Sequence, residues 1–118
     1  MKSTTTPSFY REIRETQHVW AMQSNGALVS YDSEDGIKGI YLWSSRDQVS
    51  KAIQAEVQFK NFQPLEIPLI YLELLVTEQL NDQKCVFLLN WIGNTKMVWE
   101  ENKEEFLENL MKSIKKLK

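Results

Sequence analysis

Cysteine and histidine are nearly absent from this chain of 118 residues, which contains one of each, Cys85 and His18. One cysteine excludes an intramolecular disulfide and a zinc site built from four thiolates. One histidine, with no metal-ligand spacing around it, gives no support for a metal site. We therefore predict no bound metal, an inert Cys85 in the apolar run CVFLL, and a surface His18 at the start of a strand.

Glycine and proline are also scarce, with four and three residues. The four glycines form no GxGxxG sequence, no phosphate-binding P-loop and no nucleophile elbow, so nucleotide binding and serine-hydrolase chemistry have no support. No pair of carboxylates stands at a spacing that suits acid–base catalysis. We accordingly predict no cofactor, no cofactor-binding residue and no catalytic residue.

The sequence has no excess of charge of either sign, with 14 basic and 16 acidic residues. This balance disfavours nucleic acid and anionic membranes as partners, and the lysines of segment 112–118 are typical of a helix end. No apolar run reaches the roughly 20 residues that a membrane span needs. The first eight residues also lack the apolar core of a secretory signal. Together with the low cysteine content, these features favour a cytoplasmic protein.

What the sequence does contain is enough apolar material for one core, since 42% of its residues are hydrophobic. A chain of this length typically buries roughly two-thirds of its unfolded surface. No long polar linker and no internal repeat divides it. We predict a single domain over residues 1–118, with 1–6 as a flexible tail.

The first half of the chain predicts a helix followed by three strands. Thr6 is the N-cap of the helix, Pro7 suits its first position, and the helix ends near Gln17. Alternating side chains over 19–24 and 27–31 surround the Asn-Gly pair at 25–26, which is a strong hairpin signal. A further strand over 37–43 completes a predicted three-stranded antiparallel meander.

The second half predicts helices alternating with strands. Ser45, followed three residues later by a glutamine, forms a capping box that begins a helix over 45–59. Pro64 lacks a backbone N–H and therefore indicates either an edge position or the start of a strand for the predicted strand over 62–67. The remaining predicted elements are a helix over 68–80, a hairpin of strands 85–91 and 96–99, and a helix from Glu100. The predicted fold is α+β, in the order αβββαβαββα, with a mixed and mostly antiparallel sheet packed against helices.

Several short motifs follow one spaced pattern along the chain: Val19-Trp20, Gly26, Leu42-Trp43-Ser44, Ala52, Pro64 and Ile67-Pro68-Leu69. With the closing hairpin and helix, this pattern resembles a bacterial family known as domain of unknown function 2750, from about Phe9 to Leu110. More distantly, Leu-Trp-Ser before a helix, then a Pro-Leu helix and a hairpin, resembles the N-terminal domain of SseB-type proteins, which are associated with secretion. The resemblance implies a small α+β fold and a bacterial cytosolic setting, and it brings no activity.

Four tryptophans are the richest feature of the sequence. We predict Trp20 and Trp43 in the core. Trp91 and Trp99 flank the predicted turn at Gly93-Asn94, where they form either part of the core or an aromatic patch on the surface.

The leading functional hypothesis is a non-enzymatic interaction module of the accessory or immunity type, which forms a homodimer or binds a protein partner. The predicted contact surface comprises Trp91, Gly93, Asn94 and Trp99 at the hairpin, and Tyr71 and Leu74 on helix 68–80. These two helical residues widen the apolar face beyond a single stripe. The alternative, from another functional class, is a small-molecule-binding protein or an undetected enzyme with a pocket between the sheet and helix 45–59.

Overall fold

A computed structural model of the chain describes residues 6–33, 35–91 and 99–115. The helices of this part are α1 (Thr6–Thr16), α2 (Arg46–Ala55), α3 (Leu69–Leu74) and α4 (Lys103–Ser113). The strands are β1 (His18–Ser24), β2 (Ala27–Leu28), β3 (Tyr31–Asp32), β4 (Lys38–Leu42), β5 (Gln63–Pro68), β6 (Cys85–Leu89) and β7 (Trp99–Asn102). The predicted α+β class and element order are confirmed. Of the predicted tail at 1–6, residues 1–5 lie outside the described residues, and Thr6 begins α1.

The strands form two sheets. One has the order β2-β1-β5 and is antiparallel throughout, whereas the other has the order β3-β4-β6-β7 and contains one parallel pair, β4 with β6. Trp20 and Trp43 connect the two sheets, because the backbone N–H of each donates to the carbonyl of the other at 2.8 Å.

The predicted three-stranded meander is wrong in one respect. The Asn-Gly turn does form, with positive φ angles of 54° at Asn25 and 83° at Gly26. The returning run 27–31, however, divides into β2 and β3, which belong to different sheets. β4 therefore pairs with β3 and β6 rather than with β1, although β1 and β4 remain close to each other beside the tryptophan bridge. The second edge of β1 is occupied by β5, over a register of six residue pairs.

Local signals place most of the later element boundaries. The Ser45 hydroxyl accepts a hydrogen bond from the Gln48 N–H at 3.3 Å as predicted, but the Gln48 side chain accepts from the Ser44 hydroxyl at 2.9 Å instead of completing the capping box. α2 ends at Ala55, earlier than the predicted end near Phe59, and a 3-10 turn follows at Val57–Phe59. β5, which contains Pro64, is an edge strand as predicted. The last helix begins later than predicted, because Glu100 and Glu101 extend β7 and Asn102 caps the helix through a capping box with Glu105.

Within the described part of the chain, the buried side chains form two clusters. The larger joins α1, α3 and α4 to both sheets, and in it the rings of Phe87 and Phe106 stack at 4.0 Å. The smaller packs α2 against the sheets around Trp43, which is fully buried as predicted. Trp20 is only partly buried, which corrects the prediction of a core position, and the Arg46 guanidinium lies 5.9 Å from its ring centroid. Among the described residues, no helix is long and apolar enough to cross a membrane.

Candidate functional site

An apolar groove of about 520 Å³ runs between α3 and the β2-β1-β5 sheet. β5 contributes Leu65 and Ile67, which alternate along the strand and so share one face. The predicted surface residues Tyr71 and Leu74 lie together in its wall, beside Leu75. We call this feature the α3 groove.

The sequence of α3 places apolar side chains on both of its sides. Leu69 and Leu72 are buried in the core, whereas Ile70, Tyr71 and Leu74 keep 54%, 65% and 44% of their surface exposed. Single exposed apolar residues are ordinary in proteins, but three within two turns of helix form a contiguous patch. The apolar face of this helix is therefore wider than one stripe, as predicted, and its additional side chains are exposed at the edge of the groove.

The helix continues past Leu74 as a π-helical turn over Leu75–Gln79. The Leu80 N–H closes this turn by donating to the Leu75 carbonyl at 3.1 Å. Lys103 stabilises the end of this turn, because its ammonium donates hydrogen bonds to the carbonyls of Leu80, Asn81 and Gln83 at 2.8 to 2.9 Å. π-Helical turns are rare and occur often at functional sites. No pattern in the sequence indicated this one.

The charge at the α3 groove is acidic. Of the described residues that line it, only Glu78 is charged, and its side chain is exposed. Glu73 stands on the same helical segment. The groove thus combines apolar walls with a negative charge, which suits an apolar partner segment flanked by basic residues.

A second cavity, of about 300 Å³, lies between the strand region of Tyr31 and Tyr41 and the turn that follows α2. From that turn, Gln58, Phe59 and Phe62 contribute to its wall. This is the region in which the alternative hypothesis placed a ligand pocket. We call it the aromatic pocket.

Tyr41 links the aromatic pocket to the core behind it. Its ring centroid lies 6.1 Å from Trp43, 5.9 Å from Phe59 and 5.4 Å from Trp91. Burial raises the pKa of the Tyr41 hydroxyl above its ordinary value, with smaller contributions from Tyr31 and Glu56. The hydroxyl therefore remains a protonated hydrogen-bond donor at neutral pH.

The predicted surface at the second hairpin is described only in part. β6 and β7 are antiparallel, with Leu89 opposite Trp99, while Gly93 and Asn94 lie outside the described residues. Trp91 is half-buried against Tyr41 and Phe59, and its carbonyl accepts from the Trp43 indole N–H at 2.5 Å. The contact role of Trp91, Gly93, Asn94 and Trp99 stays a prediction.

A polar cluster joins the end of β6 to the beginning of α2. Asn90, with a positive φ of 53°, accepts from the Ser44 N–H at 2.9 Å and donates to the Ser44 hydroxyl oxygen at 3.2 Å. The same hydroxyl is bonded to the carboxylate of Glu12 and to the side chain of Gln48. Ser44 is 3% exposed, so this cluster acts as a structural connection rather than as a nucleophile.

The two residues considered first for chemistry have ordinary surroundings. Cys85 is buried in β6 as predicted, and burial raises the pKa of its thiol, which disfavours the reactive thiolate. His18 is half-buried at the start of β1, and its Nδ1 lies 2.7 Å from the Thr16 carbonyl oxygen. Within residues 6–33, 35–91 and 99–115, no group of three or more His, Cys, Asp or Glu side chains is placed to hold a metal ion.

The sequence matches the model of a protein family of unknown function, DUF2750, over residues 6–110. The chain belongs to this family, and the resemblance drawn from its motifs is confirmed. No curated protein matches the chain. Among solved structures it is similar to Anabaena Tic22, described as a protein of protein transport, with a TM-score of 0.43 and 14% sequence identity. That similarity covers 68% of this chain and 46% of the Tic22 chain, so it spans less than half of Tic22.

Proposed function

We propose that the protein is a non-enzymatic interaction module, of the kind used as accessory or immunity factors, that forms a homodimer through the α3 groove. The observation that carries this proposal is the exposure of Ile70, Tyr71 and Leu74 beside an apolar groove of about 520 Å³. Contiguous exposed apolar surface of this kind is typical of protein contacts. A cytoplasmic location, which a single unpaired cysteine favours, belongs to the same proposal.

A second copy of the chain supplies a matching surface at the end of α4. Met111 is 53% exposed there, its neighbour Lys112 is paired with Glu108 at 3.4 Å, and Lys115 is an exposed basic residue just beyond the helix. An apolar side chain flanked by lysines complements an apolar groove that contains Glu78. The charge of this surface therefore favours α4 of another copy over an acidic segment.

The arrangement of the two helices is compatible with a closed dimer. α3 and α4 are in contact within one chain. In a two-fold dimer, each groove receives α4 of the other copy and the contacts occur twice. We expect the dimer to form at micromolar concentrations of the protein.

Sedimentation velocity over the micromolar range tests this proposal. The wild-type protein should shift from monomer to dimer as its concentration rises, and Leu74→Lys should weaken the dimer by at least about tenfold, because it places a charge in the apolar contact. Val57→Lys is the matched control, since Val57 is 88% exposed on the turn after α2, and it should leave dimerisation unchanged.

Two results would contradict the proposal. A wild-type protein that is monomeric throughout this range would remove the homodimer. A dimer that survives Leu74→Lys would place the contact elsewhere, with the hairpin around Trp91 and Trp99 as the next surface to examine.

A second candidate function, the binding of a small molecule, is favoured by the aromatic pocket. It is compatible with dimerisation, because the pocket and the α3 groove share none of their lining residues.

A further inference from the structure

Aromatic rings meet at different angles around the aromatic pocket. Tyr41 and Phe59 lie 5.9 Å apart with their ring planes at 64°, and Phe59 and Phe62 lie 6.0 Å apart at 31°. Tyr31, which is 58% exposed, adds a further ring to the wall. Because aromatic pairs favour offset-stacked and edge-to-face contacts, such walls can stack on the face of a planar ligand and also meet its edge.

The polar groups in the wall of the pocket carry no formal charge. They are the hydroxyls of Ser30, Tyr31 and Tyr41 and the amide of Gln58. Hydroxyls and amides both donate and accept hydrogen bonds, so they orient a polar but uncharged ligand.

A cation that neighbours the pocket, Lys38, is already paired within the protein. The Lys38 ammonium lies 3.3 Å from the Ser30 hydroxyl oxygen and 3.3 Å from an Asp32 carboxylate oxygen. An anionic ligand would have to compete with Asp32 for Lys38, and that competition disfavours anions.

The volume of the pocket limits the size of its ligand. About 300 Å³ lies at the lower end of the range for small-molecule sites. That space fits one ring or two fused rings with a few substituents.

From these features we infer that the aromatic pocket binds an uncharged, planar aromatic molecule of one or two fused rings. The ligand stacks among Tyr31, Tyr41 and Phe62, and its heteroatom exchanges a hydrogen bond with Ser30 or Gln58. This inference goes beyond the proposed dimer and does not depend on it.

The test uses indole as the probe, titrated into the isotope-labelled full chain and followed by the backbone amide signals in NMR spectra. We expect saturable shifts at Ser30, Tyr41 and Gln58, around the pocket. Cyclohexanol, which is polar but not planar, and tetramethylammonium, which is a cation suited to aromatic cages, should bind more weakly than indole.

Matched variants separate the pocket from general hydrophobic adsorption. Tyr31→Ala and Gln58→Ala change exposed residues of the pocket, so both should fold, and the first should weaken indole binding by about fivefold or more. Tyr71→Ala removes an equally exposed tyrosine from the α3 groove and should leave indole binding unchanged. Indole binding should therefore weaken in Tyr31→Ala and Gln58→Ala and stay unchanged in Tyr71→Ala.

The inference is overturned if indole shifts no pocket signals, or if cyclohexanol binds as tightly as indole. Tighter binding of tetramethylammonium would overturn it in favour of a cation site. Equal effects of Tyr31→Ala and Tyr71→Ala would also overturn it, because they would locate indole on exposed tyrosines in general.

Discussion

Replacing Trp43 by alanine should remove a large part of the stability of this domain. The side chain is fully buried in the smaller core cluster, and its ring stacks on Tyr41 at 6.1 Å with an interplanar angle of 16°. Its indole N–H also satisfies the carbonyl of Trp91 at 2.5 Å. Truncation would therefore leave a cavity at the junction of the two sheets and remove this hydrogen bond.

The magnitude follows from these two losses. Tryptophan-to-alanine changes in well-packed cores typically cost about 3 to 5 kcal/mol, and a lost buried hydrogen bond is included in the upper part of that range. Trp43→Phe keeps most of the apolar volume but removes the N–H, so it should cost less, on the order of 1 to 2 kcal/mol. For comparison, Val57→Ala changes a side chain that is 88% exposed and lies outside the α3 groove, and it should stay within about 0.5 kcal/mol of wild type.

Urea unfolding followed by far-ultraviolet circular dichroism measures all three variants. If Trp43→Ala does not fold, Trp43→Phe still gives a measurable free energy of unfolding. The reasoning would be refuted if Trp43→Phe matched wild type and Trp43→Ala lost less than about 1 kcal/mol, because neither the packing nor the hydrogen bond would then matter.

Three further predictions concern polar groups in the core and at helix ends. Asn90→Ala should destabilise the protein by about 2 to 3 kcal/mol, measured by chemical denaturation. Asn90→Gly should destabilise it by about 1 kcal/mol less, since glycine adopts the positive φ of 53° without strain. Equal losses would contradict this, because they would mean that the backbone conformation costs alanine nothing. Burial and the hydrogen bond to Glu101 raise the pKa of Tyr10, so the folded state holds this proton more tightly than the unfolded state does. The stabilisation that this bound proton gives is complete below the unfolded pKa of 10.0 and declines above it. The difference in the free energy of unfolding between wild type and Tyr10→Phe should therefore shrink between about pH 9 and 11. A difference that stays constant over this range would contradict the prediction. Lys103→Met should lower the free energy of unfolding by about 1 to 2 kcal/mol, because three carbonyls at the end of the π-helical turn lose their common donor. This loss should appear as a lower melting temperature. An unchanged melting temperature would contradict the prediction, since water would then replace the ammonium as the donor to these carbonyls.

Signals that act over a few residues were read correctly from the sequence. Asn25-Gly26 makes its turn, Ser45 caps α2, and Pro64 lies in an edge strand. Each of these depends on local backbone geometry or on one missing N–H, so neighbouring residues are enough to predict it.

Pairing between distant strands was not predictable in the same way. The run 27–31 alternates like one strand, yet it divides between two sheets, because β5 occupies the second edge of β1 and β6 pairs in parallel with β4. Those partners come from positions tens of residues away. Periodicity gives the faces of a strand but not its neighbours.

The candidate site was predicted in part. The wide apolar face of helix 68–80 predicted Tyr71 and Leu74 as surface residues, and the structure places both in the α3 groove. The aromatic pocket was expected only as a region between the sheet and helix 45–59. Its wall combines Tyr31 and Tyr41 with Phe62, and no helical or strand period connects these positions.

The most direct test of the proposed dimer is a charge exchange across the contact, measured by sedimentation equilibrium. Glu78→Lys and Lys115→Glu should each weaken the wild-type dimer, by about tenfold because the two-fold symmetry places each change in the contact twice. The protein that carries both substitutions should recover most of the wild-type affinity, since the opposite charges again face each other. A double variant no tighter than the single ones, or single variants as tight as wild type, would contradict an association of the α3 groove with α4.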